Sequence, residues 1–88
     1  MADQTDFTEI EKLLKSKDYK KRFVGEYLFV HDKVNKLDDM IDKYYDGTLG
    51  FTPDCPIDVL EMQSYSMWSY IKCLEYRADL ELISLPRS

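Results

Sequence analysis

Lys15, Lys17, Lys20, Lys21 and Arg22 place five basic side chains within eight positions, with Tyr19 among them. Cations beside a flat ring can hold a phosphate-bearing base: ammonium groups neutralise phosphate, guanidinium forks bind it bidentately, and the ring stacks. Asp18 is a candidate helix N-cap, so this cluster straddles a helix start, whose backbone N–H groups and positive dipole end also favour anions. The candidate ligand-binding residues are Tyr19, Lys20, Lys21, Arg22, Glu26 and Arg77. A plainer reading stands beside this one, because a basic run at a helix end is commonly only solvated surface.

Catalytic groupings are missing from the sequence. His31 is the single histidine, and a lone helical histidine has no partner base or nucleophile at a recognisable spacing. There is no H-x-x-x-H pair, no CxxC and no Gly-rich phosphate loop, so no catalytic residue, no metal site and no cofactor is expected. Asp38, Asp39 and Asp42 form an acidic patch that reads most simply as a solvated face. The expectation is a binding protein without turnover.

The elements that must position these residues are helical. Asp6 followed by Glu9 has the form of a capping box, and Phe7, Ile10, Leu13 and Leu14 share a face, which predicts a short helix over residues 7–15. From Asp18, the residues Phe23, Tyr27, Val30, Val34, Leu37, Ile41 and Tyr44 step by alternating fours and threes, the heptad seam of a long helix over 18–46. Asp46-Gly47 supplies its stop. Gly25 is a weak point inside it, costing about 1 kcal/mol relative to Ala. Residues 47–55, with Gly50 and Pro53, read as a loop pinned by Leu49 and Phe51. Pro56 suits the first position of a second long helix, 56–83, with Leu60, Met67, Ile71, Leu74 and Ala78 on one face.

The fold class predicted is all-α: one domain over 1–88, a short N-terminal helix followed by a long antiparallel helical hairpin. A turn centred near residues 51 and 52 would set residue i beside roughly 103 − i, facing Glu26 to Arg77 and bringing Arg22 near Glu81. The second long helix has apolar residues outside its stripe as well: Met62, Tyr65, Trp68, Tyr76 and Leu80 are the candidate oligomer interface. That extra face calls for a further partner, either the N-terminal helix or a second protomer.

Composition supports association. A chain of 88 residues buries only about 60% of its unfolded surface, which leaves a monomeric core marginal. Twelve Lys and Arg against seventeen Asp and Glu give a net charge of −5, which disfavours nucleic-acid partners. No apolar run is long enough to span a membrane. Cys55 and Cys73 form no paired motif and read as reduced thiols, and the expected location is cytoplasmic.

Asp18-Tyr19, Arg22, Glu26-Tyr27, Lys36-Leu37, Gly47-Thr48-Leu49, Phe51-x-Pro53-x-Cys55-Pro56, Leu60, Gln63, Met67, Tyr70, Leu74-Glu75 and Arg77-Ala78 together resemble a family of small crAss-phage-related helical-hairpin proteins. The likeness covers residues 18–83, and the loop from Gly47 to Pro56 is its most specific part. That family is in turn similar, in short chain and long hairpin, to the phage sponge proteins that bind cyclic nucleotides and block CBASS or Thoeris signalling. What the resemblance implies is a phage anti-defence protein in the cytoplasm of an infected bacterium. It would be a homo-oligomer (a dimer of dimers, trimer or hexamer) that sequesters a cyclic nucleotide or ADP-ribose-derived signal uncleaved. Two other readings are compatible with the residues: an acidic inhibitor of a host defence protein such as a nuclease or CRISPR effector, and a structural assembly hairpin with no ligand.

Overall fold

The computed structural model describes residues 7–86. Among them the chain forms three α-helices and no strand: α1 (Phe7–Leu14), α2 (Tyr19–Asp46) and α3 (Ile57–Glu81). The Asp6 half of the expected capping box lies outside the described residues. At 1.5 Å per residue the 28 residues of α2 span about 42 Å, close to the 43 Å long axis of the molecule. α2 is therefore the spine, and both other helices contact it.

The limits of α2 follow from local chemistry. Asp18 keeps extended backbone (φ −85°, ψ 119°) and its side chain accepts the Lys20 N–H, satisfying one of the four donors left open at a helix start. Gly47 takes the left-handed conformation (φ 79°) at the other end. There the Gly47 and Thr48 N–H groups donate to the carbonyls of Tyr44 and Lys43 at 3.2 and 2.9 Å.

α3 ends at Glu81, two residues before the limit its periodicity predicts. Leu82 itself adopts a left-handed conformation (φ 57°), which a side chain with a Cβ resists by roughly 1–2 kcal/mol. The turn drops Ile83 into the core, where it is 7% exposed, with Leu85 packed alongside. Burying an isoleucine is worth about 1.5–3 kcal/mol, enough to offset the backbone strain.

Phe23, Tyr27, Val30 and Val34 of α2 meet Ile71, Leu74 and Ala78 of α3 in the main core, which contains no buried charged group. Side-chain hydrogen bonds stitch the two helices: Tyr19 with Glu81 and Arg77, Tyr27 with Glu75, Asp38 with Ser64 and Trp68, and Tyr45 with Glu61. Early residues of one helix thus meet late residues of the other, and the paired numbers add to between 96 and 106. The expected stripes are buried from Phe23 to Ile41 and from Leu60 to Ala78, but not at every position. Tyr44 is exposed, Leu37 only half-buried, and Phe51 stands in solvent and does not pin the loop.

α1 lies on α2 and has no contact with α3. Ile10 is its anchor, 1% exposed, and Phe7 meets the Phe29 ring at a centroid distance of 6.2 Å. Gly25 makes the crossing possible: a Cβ there would sit 2.9 Å from the Leu13 Cβ and 3.0 Å from the Leu14 backbone nitrogen. The glycine that lowers helix propensity is what lets the end of α1 approach the α2 backbone, so it is a packing feature and not a flaw.

Candidate functional site

The basic segment occupies the turn from α1 into α2 and the first turn of α2. Ser16 organises it. Its hydroxyl accepts the Asp18 N–H at 3.0 Å and its carbonyl accepts an Arg22 guanidinium N–H at 2.9 Å. Arg22 thus folds back over the turn instead of lying beside Glu81, as the register alone suggests. The helix start is less open to an outside anion than the sequence implies, because the Asp18 carboxylate already takes the Lys20 N–H.

Tyr19 reaches across to the last turn of α3. Its hydroxyl donates to Glu81 Oε1 at 2.9 Å and accepts from Arg77 Nη2 at 2.9 Å. Arg77 also approaches Glu81 through Nε at 3.4 Å and lies over the Phe23 ring, 4.9 Å from its centroid. Arg77 therefore pairs with Glu81 on its own helix and not with Glu26, which is half-buried and has no ion pair among the described residues. A helical turn places residues four apart on one face, so the local partner wins over the cross-helix one. Removal from water would by itself lower the Arg77 pKa, but the hydrogen bonds and charges of Tyr19 and Glu81 outweigh that and raise it. The guanidinium is a permanent cation that lies over the Phe23 ring and is hydrogen-bonded to the Tyr19 hydroxyl, while the Tyr19 and Phe23 rings meet edge to face at 64°.

The lysines divide into two sets. Lys15 is tied to Glu11 at 2.9 Å, an exposed pair one turn apart. Lys17, Lys20 and Lys21 are exposed and have no ion pair among the described residues. They leave a cluster of uncompensated positive charge on a chain whose net charge is −5. Ammonium groups so placed can attract anions through charge and N–H donation. Tyr19, Lys20, Lys21, Arg22 and Arg77 all gather at this end of the molecule, with Tyr19 and Arg77 in direct contact.

His31 belongs to a different environment. Its ring packs against Tyr27 and Trp68 at centroid distances of 5.4 and 5.3 Å, and Nδ1 lies 3.1 Å from the Asn35 amide nitrogen. These contacts suit a packing residue. No group of three His, Cys, Asp or Glu side chains among the described residues could hold a metal ion.

Asp38 and Trp68 correct two expectations together. The Trp68 indole N–H donates to Asp38 Oδ2 at 2.8 Å and the Ser64 hydroxyl donates to Oδ1. Asp38 is thus turned from the acidic patch into the α2–α3 contact, and Trp68 is half-buried against the core instead of facing outward. The other expected interface residues, Met62, Tyr65, Tyr76 and Leu80, are each about two-thirds or more exposed. The signal for the Asp38 contact was present in the register, since 38 and 64 add to 102, but an aspartate among aspartates reads as surface.

A protein-family model described as Sequestin matches residues 17–80. That span takes in the basic residues from Lys17 to Arg22, α2, the loop and nearly all of α3, and leaves out Lys15 and α1. No curated protein and no solved structure matches the chain.

Proposed function

The chain belongs to the Sequestin family, and from that premise we propose that it binds a phosphate-bearing, nucleotide-derived signal at the Tyr19–Arg77 end and holds it without cleaving it. The family's name points to sequestration of a ligand. In the full form of the proposal the protein is a phage anti-defence sponge acting in the cytoplasm of an infected bacterium. It works as an oligomer of antiparallel helical hairpins, and its cargo is a cyclic nucleotide or an ADP-ribose-derived signal.

The observation that carries this reading is the unpaired set Lys17, Lys20 and Lys21 beside the Tyr19–Arg77–Phe23 cluster. Three free ammonium groups supply phosphate contacts, and the half-exposed Tyr19 ring offers a surface for a base. His31, the single histidine of the sequence, is packed among Tyr27, Trp68 and Asn35. That division supports the proposal of binding without turnover. The alternative of an acidic face for a host protein is weakened at two of its three carboxylates, because Asp38 is engaged by Ser64 and Trp68, and Asp39 is paired with Lys43 at 3.0 Å.

The test is a thermal-shift panel of cyclic dinucleotides, cyclic trinucleotides and cyclic ADP-ribose isomers, followed by heat release and chromatography of the ligand. A ligand at 100 times its Kd adds about 2.7 kcal/mol to the folded state. One signal class should raise the melting temperature, come back unaltered, and lose its effect in a Lys20→Ala, Lys21→Ala double variant of normal helical content. Absence of a shift across the panel, or recovery of a cleaved product, refutes the proposal.

A further inference from the structure

Along the outside of α3, Val59, Met62, Ser66, Ser69, Cys73, Tyr76 and Leu80 recur at alternating spacings of three and four, and every one of them is exposed. Such spacing is the heptad seam of a helix that packs against another helix. The seven charged residues of α3, from Asp58 to Glu81, all lie off the seam. Charge depletion of this kind marks the centre of a protein interface.

No part of the described chain covers this face. α1 contacts α2 and not α3, while Ile83 and Leu85 fold onto the main core. The chain's own N-terminal helix therefore does not fill the second apolar face. We propose that the seam is occupied by the same seam of a second copy, the two α3 helices lying antiparallel about a two-fold axis near Ser69 and Cys73. This rests on the oligomeric part of the reading above.

Size and shape select that occupant. Tyr65 and Tyr76 are 77% and 68% exposed, Met62 and Leu80 68% and 67%. With about 150–250 Å² for a whole aromatic side chain, these four and Val59 leave roughly 600–700 Å² of largely apolar surface in one strip. That exceeds the usual apolar patch of a monomer and approaches the about 800 Å² per partner of a stable interface. The seam is large at its ends and small in its middle. In an antiparallel pair, Leu80 meets Met62 of the partner subunit, Tyr76 meets the partner's Ser66, and Cys73 meets the partner's Ser69, so each bulky side chain finds room. A parallel pair would stack Tyr76 on Tyr76 and leave serine against serine, holding the helices apart at one end. Tyr76 and Leu80 also flank Arg77, so the antiparallel dimer carries one candidate anion site near each end of its seam.

The experiment uses the full chain without added ligand. Light scattering should give twice the chain mass or an even multiple of it. Ser69→Arg, which sets two guanidinium groups near the axis, should halve that mass with unchanged far-ultraviolet circular dichroism. Ser69→Cys should form an interchain disulfide with Cys73 under mild oxidation, and a Gln63→Cys control should not. If Ser69→Arg fails to fold, the crosslink still decides. A monomeric wild-type mass overturns the proposal and leaves the face to a different protein. A mass unmoved by Ser69→Arg, or a crosslink through Cys73 alone, overturns the seam or its direction. The ligand panel, run on the same samples, separates the two ideas. A dimer that binds nothing keeps the seam and loses sequestration, while a monomer that still binds does the reverse.

Discussion

Gly25→Ala sets two physical effects of opposite sign against each other. In an exposed helix the change would stabilise by about 1 kcal/mol, since alanine loses less backbone freedom than glycine. Here the new Cβ would lie 2.9 Å from the Leu13 Cβ and 3.0 Å from the Leu14 nitrogen. Neither atom is the loose end of a side chain, so α1 must shift bodily or leave. Strain from overpacking costs about 1–3 kcal/mol. Release of α1 would expose Ile10, at about 1.5–3 kcal/mol. Set against the propensity gain, the cheaper route leaves a net loss of about 1 kcal/mol, a fall in melting temperature of about 4–8 °C for a domain of this size. Denaturation measured beside hydrogen exchange in residues 7–14 checks both the sign and the place, and exchange there should accelerate. Gly50→Ala is the control, because a Cβ there meets nothing within 4 Å, and it should be neutral or slightly stabilising. A rise in stability for Gly25→Ala with α1 still protected would refute the close-approach argument.

Leu74→Ala removes a fully buried side chain and should cost about 2–5 kcal/mol by chemical denaturation, whereas the half-buried Leu37→Ala should cost distinctly less. Trp68→Phe leaves Asp38 with Ser64 alone and should destabilise by about 1–3 kcal/mol, with Trp68→Phe, Asp38→Ala adding less than the sum of the single changes in a double-mutant cycle. The Tyr45 phenol is held above its ordinary 10.0, first by its hydrogen bond to Glu61, then by desolvation and the Glu61 charge. A folded pKa above the unfolded one means a contribution intact below pH 10 and lost as pH climbs through the raised value. Tyr45→Phe should therefore flatten the alkaline limb of the stability profile and remove one late-titrating phenol from the ultraviolet titration.

Much of the helical plan was legible because it is written in short-range terms. Asp18 as N-cap, Gly47 as left-handed stop and the spacing from Phe23 to Ile41 each depend on residues within a turn or two of one another. The candidate site was legible as a basic cluster but not as a geometry. Arg22 turned to Ser16 and Arg77 to Glu81 and Tyr19, because each cation had a partner closer than the cross-helix acid that the register offers.

The division between the two sources has one physical root. Sequence by itself determined the all-α class, the stripe that α2 buries and the placement of uncompensated positive charge at one end, since propensity, periodicity and net charge are properties of the chain read along its length. Only the tertiary structure decided that Gly25 is a crossing point, that Asp38 faces Trp68 and that the outer seam of α3 is left uncovered. Those facts depend on how each helix is rotated against the next. A shift of one residue turns a helix by about 100°, which is enough to exchange a solvated face for a buried one.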